Sequence, residues 1–180
     1  FEHRAQFAKE MTAALDLEVI PVNDPRAAIQ QADIILTATN TNVPVFSGSW
    51  LGEGTHVTSI VGSNVGMVQA GVIAHKRREI DDETLKRAAV IGIASRELAI
   101  QDQQGDIYDQ VQAGTLSWDA IAELREIVGG QTPGRYGAAD ITVFKNNGGQ
   151  GIAEVAIADL ILTRAREQKL GIELSWSEGY

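Results

Sequence analysis

The sequence predicts an α/β fold, a parallel sheet with helices on both faces, and three observations carry that prediction. Short apolar runs alternate with helical segments along the chain. The run Ile34-Ile35-Leu36 is apolar at successive positions rather than at every second one, as in a strand buried on both faces. Three such runs stop at loops of small and amide residues. Ile34-Ile35-Leu36 leads into Thr37-Ala38-Thr39-Asn40, Val57 to Val61 into Gly62-Ser63-Asn64, and Ile141 to Phe144 into Lys145-Asn146-Asn147-Gly148-Gly149-Gln150-Gly151. Open parallel sheets bind ligands outside the carboxyl ends of their strands, where loops and helix amino termini present unpaired N–H groups. The three loops are therefore expected on one rim.

Element by element, Phe1 to Leu15 reads as a helix with Phe7, Met11, Ala14 and Leu15 on one stripe. Glu18 to Val22 reads as a short strand. Asp24 is placed to cap a helix that has Pro25 at its first position and ends before Asp33. After the strand Ile34 to Ala38 comes a turn-rich stretch with Pro44, Gly48, Gly52 and Gly54, in which Trp50 and Leu51 are packing anchors. The strand Thr55 to Val61 follows, then a loop and helix through His75, the helix Asp82 to Ala88 and the strand Ala89 to Ala94. Asp81, Asp82 and Glu83 suit a helix amino terminus, where the dipole favours negative charge. Ser95 opens a further helix, and an amphipathic stretch runs from Asp106 to Val111. Ser117 caps a helix that reaches Val128 and stops at Gly129-Gly130. The strand Asp140 to Lys145 and a long helix from about Gly151 to Gln168 come last. Strands separated by helical segments connect through right-handed crossovers in a parallel sheet.

Composition bounds the function. At 180 residues and 44% hydrophobic content, the chain is long enough for one packed domain. A formal net charge of -9 argues against a nucleic-acid surface, because phosphate binding needs clustered Lys and Arg. Lys76-Arg77-Arg78 comes nearest, and Glu79, Asp81, Asp82 and Glu83 follow it directly. Without cysteine there is no disulfide framework, thiol nucleophile or thiolate metal site, which fits a cytoplasmic protein. No apolar stretch approaches the roughly 20 residues of a bilayer span, so no membrane partner is expected. Because an intracellular chain should begin with Met, the start at Phe1 points to the middle of a longer protein, truncated at its amino end.

Each loop has two readings. Thr37, Thr39, Asn40, Thr41 and Asn42 either give hydroxyl and amide partners to a sugar or pyrophosphate, or form a turn bonded to its own backbone. Gly62 allows close backbone approach and Asn64 can donate to a carbonyl. The segment from Lys145 to Gly151 carries the sharper signal, since ordering Gly loses the most entropy. Gly149-Gln150-Gly151 begins a GxGxxG pattern, but Glu154 stands at its third glycine position, so it is not the dinucleotide fingerprint. Glu154 serves either the helix dipole or a ligand. His56 starts a strand at the end away from the loops and reads as structural. No His pair has metal-ligand spacing, no metal is expected, and no Ser, His and Asp arrangement suggests a triad. Chemistry, if present, belongs to a bound cofactor.

At these residues the chain resembles the ornithine cyclodeaminase/mu-crystallin family, from about Phe1 to Leu174. The resemblance is carried by Glu2-His3-Arg4 with Phe7-Ala8 and Glu10-Met11, Ala32-Asp33-Ile34 through Thr39, and Pro44-Val45-Phe46 with Trp50-Leu51. It continues in Gly54-Thr55-His56-Val57, Arg78-Glu79-Ile80-Asp81, Leu116-Ser117-Trp118-Asp119, Gly134-Arg135 and Ile141-Thr142-Val143-Phe144-Lys145. It implies a Rossmann-like sheet that binds NAD or NADP, with the first part of the nucleotide-binding domain and its Gly-rich phosphate loop upstream of Phe1. Residues 1–145 would be a partial NAD(P)-binding domain, and residues 146–180 a helix and tail returning toward a substrate and dimerisation domain. By position, Thr37, Ala38 and Thr39 would line the cofactor near its ribose and pyrophosphate, and Gly62 and Ser63 would sit by the nicotinamide. Lys145, Asn146 and Asn147 would approach the ring from the other side.

The catalytic position implied by the resemblance falls on Asn64. Cyclodeaminases carry an acidic residue there, and an amide orients a substrate but does not shuttle a proton at neutral pH. Reduction of an imine (ketimine) or dehydrogenation of an amino acid is therefore favoured over ornithine cyclodeamination. Small amino or imino acids are the implied substrates, and a homodimer the implied assembly. The competing reading is a non-catalytic nucleotide- or ligand-binding protein like mu-crystallin.

Overall fold

The computed structural model describes residues 2–146 and 151–172. Phe1–Gly148 forms one compact unit and Gly149–Tyr180 a second.

In the first unit, helix α1 (Glu2–Leu15) buries Ala8 while Phe7 and Leu15 stay exposed, so its packed stripe is displaced from the one expected. Residues 18–22 form no strand. Asp24 caps α2 (Pro25–Ile29) by accepting from the Arg26 N–H, with Pro25 at the position where a missing N–H costs nothing. Strand β1 (Ile34–Thr37) and a single 3-10 turn over Gly48–Trp50 lead to β2 (His56–Ser59). Ile60 and Val61, expected in that strand, lie beyond it: the Ile60 N–H is shared between the Thr37 carbonyl and Glu79, and the Val61 N–H donates to Glu79.

Helix α3 (Val65–Gln69) is shorter than the expected helix through His75. Gly71, at φ +70, ends it with the Gly71 N–H on the Val68 carbonyl and the Val72 N–H on the Met67 carbonyl. This paired closure requires a left-handed residue and stops the helix. Asp81 caps α4 (Asp82–Arg87) by accepting from the Thr84 N–H, and β3 (Ala88–Ile93) follows directly. Ser95 caps α5 (Arg96–Gln101), and α6 (Tyr108–Gln112) lies in the expected amphipathic stretch.

The expected single helix from Ser117 to Val128 is three elements. Ser117 caps only a 3-10 turn at Trp118–Ala120, then β4 (Ile121–Glu123) pairs with β3, then α7 (Leu124–Val128) begins. Burial decides this: all three residues of β4 are buried, and a central sheet supplies ladder partners that local periodicity cannot reveal. Strand β5 (Ile141–Lys145) completes the sheet, whose order is β1-β2-β5-β3-β4 with every pair parallel.

Register and alternation put Ile35, Val57, Val143, Ile91 and Ile121 on one face. Ile29, Leu85, Ala99 and Ile107 of the helical side join them in the core. On the other face Leu124 and Ile127 of α7 lie beside Val90, Thr142 and Phe144. Helices thus lie on both faces, but the second is covered only in part, so the run Ile34-Ile35-Leu36 is not buried on both faces as the sequence suggests. Edge strand β1 leaves Ile34 and Leu36 exposed.

The second unit contains α8 (Gly151–Glu167). Val155, Ile157, Leu160, Ile161 and Leu162 are all exposed on it, and together they span most of its circumference. No helix of the described residues is long and apolar enough to cross a membrane.

Candidate functional site

Strand pairing sets Thr37 opposite Ser59 and Ser59 opposite Lys145, so the last residues of β1, β2 and β5 form one row. Alternation points all three side chains to the same face, and all three are buried. The strand ends at Thr37, Ser59 and Lys145 therefore share a rim, with Gly62 three residues beyond the end of β2. Backbone bonds continue across it, from the Ile60 N–H to the Thr37 carbonyl (3.3 Å) and from the Asn146 N–H to the Ser59 carbonyl (2.9 Å).

Beneath this rim lies Glu79, fully buried, on the segment of chain that joins α3 to α4. Its Oε2 accepts from the hydroxyls of Thr37 (3.0 Å) and Ser59 (2.9 Å) and from the N–H groups of Ile60 and Val61 (3.0 Å each). Its Oε1 accepts from the Thr39 N–H and the Thr39 hydroxyl (2.8 Å). Burial alone would raise this carboxyl's pKa. The N–H groups of Val61 and Thr39 and the hydroxyls of Thr39 and Ser59 outweigh it and hold the value down to about 2.

A second buried carboxylate, Asp106, takes the N–H groups of Glu79 (2.9 Å) and Ile80 (3.2 Å) on Oδ1. Its Oδ2 pairs with the Lys145 ammonium at 2.7 Å. Gly105 makes the approach possible, since a Cβ there would lie 2.2 Å from the Arg77 carbonyl oxygen. The three N–H donors of Lys145 are directed at Asp106, the Ser59 hydroxyl (2.8 Å) and the Val61 carbonyl (2.6 Å). Burial lowers the Lys145 pKa, while Asp106 and Glu79 oppose the shift. Ser59 Oγ also lies 3.0 Å from Asp106 Oδ2. Having one proton, it can serve Glu79 or Asp106 but not both at once.

The sequence-predicted residues thus divide between buried and open positions. Thr37 and Lys145 turn into the ionic cluster, and buried Ser63 donates its hydroxyl to the Asp102 carbonyl. Ala38 and Thr39 are exposed, while Gly62, Asn64 and Asn146 are half-buried. A Cβ at Gly62 would meet nothing within 4 Å, so a ligand can approach its backbone. Asn64 is left-handed at φ 54, and its Nδ2 points back to the Gly62 carbonyl at 3.4 Å. Asn147 lies outside the described residues. Open backbone at Ala38 and Gly62, on loops fixed from below, fits the close approach of a flat ring and a sugar.

Sequence reasoning missed Glu79 and Asp106 as parts of this site. Glu79 sits in a run of charges that reads as solvated surface, and Asp106 reads as the start of an amphipathic helix. Their role depends on contacts 18 to 47 residues away along the chain, beyond any local pattern.

A model of the ornithine cyclodeaminase/mu-crystallin family matches residues 2–169. The chain belongs to this family. Among its curated relatives, a Delta(1)-pyrroline-2-carboxylate reductase of Bacillus cereus is 31% identical over 154 residues, covering 85% of this chain and 43% of the relative. A putative dehydrogenase of Rhizobium meliloti is 34% identical over 149 residues, covering 82% and 41%. Among solved structures, the Thermococcus litoralis Delta(1)-pyrroline-2-carboxylate reductase in complex with NADH and L-proline aligns with a TM-score of 0.81 and 32% identity, covering 94% of this chain and 49% of that one. An archaeal alanine dehydrogenase dimer with bound NAD aligns with a TM-score of 0.75 and 26% identity, covering 97% and 51%. This family member spans about half the length of these relatives. Its sheet is Rossmann-like, as the resemblance implies.

Proposed function

We propose that the full-length protein is a cytoplasmic, homodimeric NAD(P)-dependent oxidoreductase that reduces imines derived from amino acids or runs the reverse dehydrogenation. The observation that carries this reading is the row Thr37, Ser59 and Lys145, which gathers three loop tips on one rim. Relatives described as pyrroline-2-carboxylate reductases and alanine dehydrogenase support it. The dimeric alanine dehydrogenase supports self-association.

In this reading the backbone of Thr37, Ala38 and Thr39 lines the ribose and pyrophosphate, and Gly62 and Ser63 lie against the nicotinamide. Asn146 and Asn147 close from the third strand end, with Lys145 holding that end through Ser59 and Val61. When bound, the nicotinamide supplies the hydride that reduces the imine carbon. Asn64 orients the substrate by donating from its amide and carries no proton at neutral pH. Fixing the loops before binding places the reacting atoms without ordering them during the reaction.

The test is turnover of full-length protein with NADH or NADPH against a panel of cyclic and acyclic imino acids. Oxidation of the cofactor with at least one of them is expected. Cofactor retained but never oxidised would favour a binding protein instead.

A further inference from the structure

We propose that Glu79 is the positioning residue of the cofactor rim, holding the loops after β1 and β2 in their binding conformation without touching the cofactor itself. The inference rests on the NAD(P) reading above. Six donors from five residues face this one carboxylate, three from Thr37 and Thr39 and three from Ser59, Ile60 and Val61. Among them are the backbone N–H groups of Thr39 and Val61, which no strand partner takes, and that of Ile60, which Glu79 shares with the Thr37 carbonyl. Glu79 is fully buried, whereas Ala38 and Thr39 directly above it are exposed. The residue therefore shapes the open surface from below.

An ionised carboxylate is the only side chain of this size that accepts on both oxygens and donates on neither. In Glu79→Gln the amide NH2 must face one group of donors or the other. Turned one way it meets the Thr39 N–H, and turned the other way it meets those of Ile60 and Val61. Either orientation leaves a backbone donor facing a donor, so one loop must move. Asp106 anchors Glu79 itself through its backbone N–H, and the Lys145 ammonium anchors Asp106, so β5 is joined to the same device.

The experiment uses the full-length protein and a titration of NADH or NADPH followed by its fluorescence. Wild type is expected to bind one of them. Folded Glu79→Gln is expected to bind that nucleotide about tenfold more weakly, the effect of one orphaned buried donor, with an unchanged KM for the imino acid at saturating cofactor. Amide exchange at Thr39 or Val61 should quicken relative to the β3 amides, which a general loss of stability would not do selectively. Should Glu79→Gln fail to fold, Ser59→Ala carries the test, with binding about threefold weaker because one donor of six is lost. Affinity within about twofold of wild type in the folded variant overturns the inference and leaves the cofactor reading standing. No binding of either nucleotide by wild type overturns both.

Discussion

At their carboxyl ends β1, β2 and β5 meet two carboxylates and an ammonium, while the amino ends of β2 and β5 meet an imidazole and one guanidinium. The difference follows from what each end leaves unsatisfied. Above the sheet, loop N–H groups of Thr39, Ile60, Val61, Glu79 and Ile80 need acceptors, and Glu79 and Asp106 supply them. Below it, the carbonyls of Gly54 (2.9 Å), Ala138 (3.2 Å) and Asp140 (2.7 Å) need donors, and Arg135 supplies them. His56 lies between the hydroxyls of Thr142 (2.8 Å) and Thr58 (3.1 Å), with its pKa lowered by burial and by Arg135. Desolvated ionic groups are costly, so their concentration at one end marks the place where geometry must be fixed. The same sheet has a rim built to position and a base built to hold.

The sharpest way to break this comparison is Asp106→Ala, which strands the buried Lys145 ammonium. A loss of about 3–5 kcal/mol in urea unfolding is expected, since an uncompensated buried charge remains. At the other end Arg135→Ala removes one cation from backbone carbonyls and should cost less, about 1–3 kcal/mol by the same measurement. Equal losses would erase the distinction between the ends.

Acid separates the two ends by pH window. His56 has a folded pKa below its ordinary 6.5, so the unfolded chain takes up the proton first. Its contribution is complete above pH 6.5 and is lost as the pH falls through the folded value. Glu79 contributes fully above its ordinary 4.5 and loses that contribution only as the pH falls toward about 2. Urea midpoints should therefore decline in two steps, and His56→Gln should remove the upper one. The smallest effect belongs to the open residues. Asn64→Asp should leave stability nearly unchanged and raise any cyclodeaminase side activity, read as proline formed from ornithine by the full-length protein.

What was legible in the sequence was the end of each strand and little of what lies beneath. Thr37 and Lys145 could be placed at strand ends because apolar runs stop abruptly at small and polar residues, a local signal, whereas β2 stops at Ser59, two residues before its apolar run does. The cap at Asp24 and the helix starts at Asp81 and Ser95 were readable for the same reason. Strand β4 was not, because Ile121-Ala122-Glu123 has no period of its own and becomes a strand only by pairing with β3. Nor was the inward turn of Lys145, which depends on Asp106 arriving from a separate loop. Glu79 illustrates the limit most plainly. Its neighbours in sequence are charged and its neighbours in space are hydroxyls and backbone N–H groups.

The most direct test is amide exchange of the full-length protein with and without saturating NADH or NADPH. Protection confined to the three strand-end loops, around Thr39, Gly62 and Asn146, with none around Gly54 and Ala138, is the predicted result. Protection at the Arg135 end, or none at the rim despite bound nucleotide, would contradict the account.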